Sequence, residues 1–250
     1  GVDGVLWSTP AAKMRGVLTL TDKGYKAKPL RRVFIEKKGK KTKRPLGIPC
    51  MYDRALQALY ALALDPVSET TADEKSFGFR RGRSAQDACE YIFTALSRRT
   101  SPEWVLEGDI KGCFDHISHD WLIEHIPMDK SVLKQFLKAG FVFQNELFPT
   151  DEGTPQGGVI SPILANMALD GMQKVLSDRF HTNRLGKIDL RFKNAHKVNL
   201  VRYADDFIVT AATKEIAEEA KEIIRGFLCT RGLELSEEKT LITHVDDGFD

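Results

Sequence analysis

Apolar and polar positions change period several times along this chain. Residues 1–30 are polar and turn-rich. Residues 31–50 read as a basic hairpin, with a strand-like run from Leu30 to Ile35 and a turn around Gly39. Leu56, Leu59, Tyr60 and Ala63 recur at helical spacing, so a helix is predicted from Asp53 to Leu64, capped by Asp53 and stopped by Pro66. Further helices are predicted over Gln86 to Leu96, Ser118 to Ile126 and Ser131 to Ala139, the last ended by Gly140. Phe141 to Phe148 reads as an extended pair. Ser161-Pro162 opens a helix to about Leu176. Residues 182–197 are basic and irregular, and read as an insertion. From Thr213 to Leu228 the period is strongest, with Ile216, Ala220, Ile223, Ile224 and Phe227 on one face. Strands are predicted over Trp104 to Ile110, a hairpin at 200–211, Leu233 to Leu235 and Leu241 to Val245. The irregular alternation makes the class α+β.

The hairpin at 200–211 carries the chemistry. Two apolar runs flank Tyr203-Ala204-Asp205-Asp206, which puts adjacent carboxylates at a hairpin tip. Vicinal charges repel, so a fold gains nothing from them there, whereas a hard divalent cation makes them useful. A strand ending on Asp109 supplies a third carboxylate. Two Mg²⁺ ions roughly 3.5–4 Å apart, held by such acids, form the apparatus of an in-line phosphoryl displacement. Taken singly, Asp109 reads equally as a helix cap and the other two as turn residues.

Bulk properties narrow the field. The chain has 250 residues, 42% hydrophobic and 29% charged, as expected of a globular protein with a sizeable core. No apolar run approaches a membrane span and no secretory signal precedes the fold, so no membrane partner is expected. Cys50, Cys89, Cys113 and Cys229 are scattered, which suggests reduced thiols in a cytosol-like compartment. Net charge is only +2, yet Lys23 to Arg44 holds eleven Lys or Arg against one acid, Glu36. A hairpin bearing such lysines suits a polyanion. His116, His119 and His125 invite a zinc reading, but no Cys or further His completes tetrahedral spacing.

Seven blocks in order resemble the reverse transcriptase domain of group II intron-encoded proteins, the maturases. Gly1 to Val5 looks like the extra N-terminal motif of non-retroviral reverse transcriptases. Arg44-Pro45-Leu46-Gly47-Ile48-Pro49 and Ser76 to Ser84 resemble the two fingers motifs. Asp109 to Asp115 resembles the first palm motif. Gly153-Thr154-Pro155-Gln156-Gly157-Gly158 with Ser161-Pro162 resembles the template and nucleotide motif. Tyr203 to Asp206 resembles the catalytic hairpin, and Leu235 to Thr240 the lysine motif that follows it. The N-terminus then reads as truncated or processed, because the first residues already match a motif.

The resemblance implies a right-hand fingers and palm arrangement, with an antiparallel palm sheet, packed helices and no thumb. Residues 1–100 would be fingers, including the N-terminal extension, and 101–250 mainly palm, with part of 125–155 returning to the fingers. It implies an RNA-directed DNA polymerase of a mobile intron, in the cytoplasm of a bacterial-type host. Its partners would be an RNA template, a DNA primer, deoxynucleoside triphosphates and intron RNA. Asp109, Asp205 and Asp206 would hold two Mg²⁺, with the Ile110 carbonyl as a further ligand. Phe114 resembles a steric gate against the ribose 2′-hydroxyl. Gln156 sits between Pro155 and two glycines, where the backbone can approach a ligand and an amide can contact sugar or phosphate. Lys37 and Arg44 would hold the triphosphate, with Lys38 competing for that role. Lys239 would meet the leaving pyrophosphate. Lys40, Lys41, Lys43, Arg80 and Arg83 complete the expected nucleic-acid contacts. Two other readings stand beside this one: an RNA-binding splicing cofactor with a weak or dead polymerase site, and a retron, CRISPR-associated or diversity-generating reverse transcriptase.

Overall fold

The structure is a computed structural model that describes residues 1–36, 43–183 and 185–249. The turn expected at Gly39, with Lys37, Lys38, Lys40 and Lys41, lies outside the described residues. The chain folds into two compact units. The first comprises Gly1–Ser68 and Phe114–Ala165, the second Glu69–Cys113 and Asn166–Asp250. The units interleave along the sequence: residues 69–100 group with the second and 114–165 with the first. No helix among the described residues is long and apolar enough to cross a membrane.

The first unit holds a sheet of β1 (Leu30–Glu36), β2 (Lys43–Ile48), β4 (Phe141–Phe143) and β5 (Glu146–Phe148), in the order β2-β1-β4-β5. β1 pairs antiparallel with β2 and parallel with β4. Gln144 and Asn145 join β4 to β5 with φ of 51° and 66°, the left-handed backbone that a two-residue hairpin turn needs. Helices at Met51–Thr71, His119–His125 and Lys130–Leu137 bury Leu56, Leu64, Leu122, Leu133 and Phe136.

Two expectations fail in the first of these helices. It runs through Pro66 to Thr71 rather than stopping. A proline removes the hydrogen bond to the carbonyl four residues back. That carbonyl belongs to Leu62, a residue 58% exposed, where water can serve it. Asp53 is not the cap either; it lies inside the helix, buried, and accepts the Tyr25 hydroxyl at 2.7 Å. Residues 1–30, read as polar and turn-rich, contain a helix at Pro10–Thr19.

The second unit is built on an antiparallel sheet of β3 (Trp104–Asp109), β6 (Asn199–Tyr203), β7 (Asp206–Ala211) and β8 (Leu241–His244), ordered β6-β7-β3-β8. The helix Lys214–Cys229 packs its buried Ala217, Ala220, Ile224 and Leu228 on this sheet, as its period requires. Thr213 caps it through its side-chain oxygen. Ser84 and Asp87 form a capping box at the helix Ala85–Leu96. The helix expected from Ser161 to about Leu176 is broken. Gly171 takes φ +99° and divides it into Ser161–Leu169 and Met172–Phe180. Leu235 makes one isolated bridge to Ile110 instead of a closing strand. Part of the segment read as irregular is helical, at Leu190–His196.

Candidate active site

Register brings the separated acids together. β3 and β7 pair so that Asp109 faces Asp206 directly across the ladder. Tyr203 pairs with Asp206 between β6 and β7, which leaves Ala204 and Asp205 as a two-residue turn. The three carboxylates, 96 and 97 residues apart in sequence, therefore share the end of one sheet. Glycine makes the close pairing possible. A Cβ at Gly108 would meet the Phe207 ring at 2.1 Å, and Gly108 is the ladder partner of Phe207.

The charge state follows from this crowding. Burial first, then the neighbouring Asp205 and Asp109, push the Asp206 carboxyl above its usual range. Lys239 relieves part of the repulsion: its Nζ donates to Asp109 Oδ2 at 2.8 Å, and that bond raises the ammonium's own pKa. The Asp109 carbonyl accepts the Ser236 N–H at 2.8 Å and the Lys111 N–H reaches the Glu234 carbonyl at 2.9 Å, so the segment carrying Lys239 is stitched to the end of β3. The side chain of Ile110, whose carbonyl was expected to ligate metal, is buried.

The donor set passes a chemical test for a hard divalent cation: oxygen only, with negative charge in excess. Among the described residues, no three Asp, Glu, His or Cys side chains are grouped so as to hold a metal ion. The positive charge beside Asp109 is the Lys239 ammonium.

The hairpin turn is strained and externally braced. Ala204 takes φ +58°, a left-handed conformation costing an alanine roughly 1–2 kcal/mol. Arg202, fully buried, donates from Nη1 to the Ala204 carbonyl at 3.2 Å and to Asn166 Oδ1 at 3.1 Å, and from Nη2 to Asp170 Oδ1 at 2.6 Å. Asn166 in turn donates to the Gly78 carbonyl at 2.8 Å. Gly78 lies so close beneath the turn that a Cβ there would sit 2.3 Å from the Ala204 nitrogen. The segment Lys75 to Phe77 extends the sheet past β6, through Arg202 N–H to the Lys75 carbonyl and Phe77 N–H to the Arg202 carbonyl, both 2.9 Å. Arg202 is the residue that sequence reasoning missed. Its signal was a lone cation in the apolar run Val198 to Val201 before the acids.

Arg80 and Arg83, expected at nucleic acid, have internal partners. The Arg80 side chain is only 6% exposed; it pairs with Glu69 and donates to the carbonyls of Asp73 and Ser76 at 2.8 and 2.9 Å. Arg83 donates to the Glu74 carbonyl at 2.7 Å. Both therefore hold the 73–84 loop that carries Gly78. Gly78 approaches the acidic hairpin closely.

The remaining expected residues belong to the first unit. The turn at 153–158 is fastened to the segment after Phe114: Thr154 N–H donates to the Phe114 carbonyl at 2.6 Å and Gly153 N–H to the Ile117 carbonyl at 2.8 Å. Gln156 Nε2 donates to Asp115 Oδ2 at 3.0 Å, and its carbonyl accepts the Gly47 N–H at 2.7 Å. Phe114, Gln156 and β2, which carries Lys43 and Arg44 exposed, thus form one constellation. The three histidines go separate ways. His116 pairs with Glu152 at 2.8 Å, His119 donates to the Gly153 carbonyl at 2.7 Å, and His125 stacks on Trp121 at 4.3 Å.

A family model described as reverse transcriptase (RNA-dependent DNA polymerase) matches residues 35–250. The chain is 33% identical to the group II intron-encoded protein LtrA of Lactococcus lactis subsp. cremoris, over 91% of this chain and 47% of that protein. It is also 33% identical to protein YkfC of Escherichia coli K12, over 100% of this chain and 73% of that one. The chain spans about half the length of the intron-encoded relative. Among solved structures, the apo telomerase of Candida tropicalis superposes with a TM-score of 0.61 at 13% identity, over 91% of this chain and 46% of its own. The telomerase of Candida albicans in complex with a TWJ fragment of telomeric RNA gives 0.60 at 15% identity, over 88% and 42%. Those two likenesses concern the fold.

Proposed function

The chain belongs to the reverse transcriptase family, and on that premise we propose that it copies RNA into DNA and binds group II intron RNA as a maturase. The observation that carries the polymerase reading is the direct pairing of Asp109 with Asp206, with Asp205 at the adjoining turn. Asp109, Asp205 and Asp206 would hold Mg²⁺, which when bound supplies charge stabilisation to the entering and leaving oxygens of nucleotidyl transfer. The residues themselves supply position. Arg202, Asn166 and Gly78 set the hairpin turn, and Gly108 lets the two acid-bearing strands pair with Phe207 packed between. Lys239, kept protonated by Asp109, is a donor beside the carboxylates suited to a departing pyrophosphate. Phe114 as a gate against the 2′-hydroxyl and Gln156 as a sugar or phosphate contact complete the reading. Lys43 and Arg44 on β2 serve phosphates from the first unit.

The intron assignment is supported by the similarity to the group II intron-encoded protein of Lactococcus. The test is extension of a DNA primer on an RNA template with Mg²⁺. Asp109→Asn and Asp205→Asn should each abolish extension while circular dichroism and thermal midpoint stay near those of the parent chain. Extension within a few-fold of the parent rate in either variant refutes the site. A parent chain that binds RNA tightly but never extends a primer returns the splicing-cofactor reading.

A further inference from the structure

The second unit contains a cavity of about 600 Å³. It opens between the end of the helix Ala85–Leu96, the loop that follows, and the helix Leu190–His196 with Lys197. Its wall includes three cations, Arg98, Lys193 and Lys197, and no carboxylate among the described residues. Thr94, Ser101 and Asn194 add hydroxyl and amide groups. Glu74, whose carboxyl Lys75 first and Lys193 to a lesser degree hold low, stands outside the lining and pairs with Lys75 at 3.0 Å. Cations with neutral donors and no carboxylate in the lining are the chemistry of a phosphate site.

The wall is built rather than incidental. Lys197 takes φ +54°, a left-handed conformation unusual for a lysine, and closes the helix Leu190–His196 through its N–H to the Lys193 carbonyl at 2.9 Å. Its Nζ donates to the Ser101 carbonyl at 3.1 Å and fastens the two sides of the cavity together. Asn199, at the foot of β6, donates from Nδ2 to Thr210 Oγ1 at 3.1 Å and forms the floor. Asn199 and the acidic tip lie at opposite ends of β6, so roughly 15–20 Å of strand separate cavity from carboxylates. A nucleotide bound for polymerisation at the acids cannot occupy both.

We infer that this cavity is a second RNA-binding site, which grips the phosphodiester backbone of a folded RNA through Arg98, Lys193 and Lys197, apart from the template path. The inference rests on the intron-binding reading and assigns it a surface. Its size admits a sugar and its flanking phosphates, and its solvent-facing mouth suits a backbone running past rather than an enclosed small molecule.

The test uses the whole chain and a labelled stem-loop RNA. Arg98→Ala with Lys193→Ala leaves Lys197 and its structural bond in place. The double variant should bind the stem-loop about tenfold or more weakly, with the slope of log Kd against log salt reduced by about 2. Primer extension on a short template, in both kcat and KM, should stay as in the parent chain. Charge reversal, Arg98→Glu with Lys193→Glu, should weaken binding further while the thermal midpoint holds. Equal affinity and equal salt slope in both variants overturn the inference but leave the intron reading standing. A parent chain that fails to bind the stem-loop at all overturns both. Unchanged RNA affinity with lost binding of a polyglutamate peptide assigns the cavity to an acidic peptide and overturns it too.

Discussion

Asp170→Ala should unfold the second unit far more easily than its distance from any ligand suggests. The perturbation strands a charge. Arg202 has no exposed side-chain surface, and its Nη2 donates to Asp170 Oδ1 at 2.6 Å. Its Nε already lacks a partner, so the guanidinium has little reserve. Burial pushes the Asp170 carboxyl up to about 6 against the downward pull of Arg202, which marks a pair held at a desolvation cost. Removing one partner of such a pair costs about 3–5 kcal/mol. That is a large fraction of the roughly 5–15 kcal/mol that holds a protein together. At about 2–4 °C per kcal/mol for a chain of this size, the thermal midpoint should fall by roughly 6–20 °C. Urea unfolding followed by circular dichroism measures the loss. Because the same guanidinium braces the Ala204 carbonyl, primer extension should drop at temperatures where the variant is still folded. The double change Asp170→Leu with Arg202→Met removes both charges at similar volume and should recover most of the stability. A single variant within about 1 kcal/mol of the parent chain, or a double variant no better than the single, refutes the stranded-charge reasoning.

Gly78→Ala places a Cβ 2.3 Å from the Ala204 nitrogen, so the acidic hairpin must shift; extension should fall at least tenfold, with a smaller loss of thermal midpoint. Phe114→Val should admit ribonucleotides in a single-nucleotide incorporation assay, and an unchanged deoxy preference would remove the gate. Burial holds the His119 imidazole below its usual value, so the folded state favours the neutral ring. Its stabilisation is complete above the unfolded value near 6.5 and is lost as pH falls through that value towards the folded one. Urea midpoints from pH 7.5 down to 5.5 should therefore decline, and His119→Gln should flatten the decline.

Sequence by itself determined the local features, because their causes span few residues. Two apolar runs flanking Tyr203 to Asp206 specify a hairpin with acids at its tip, and the apolar period from Thr213 to Leu228 specifies its helix. The motif order specified the family. Tertiary structure decided what depends on distant partners. Pro66 stays inside a helix where the residue whose carbonyl it orphans, Leu62, is exposed. Asp53 turns inward because Tyr25, 28 residues earlier, offers a hydroxyl. Arg80 reads in the sequence as a nucleic-acid contact; the fold gives it Glu69 and the carbonyls of Asp73 and Ser76 as partners. Arg202 looks like a misplaced cation in an apolar strand, yet Asn166, Asp170 and the Ala204 carbonyl surround it. A side chain's type tells what it can bond to; only the folded chain brings the partner within reach, and burial then decides whether that bond serves a ligand or the protein itself.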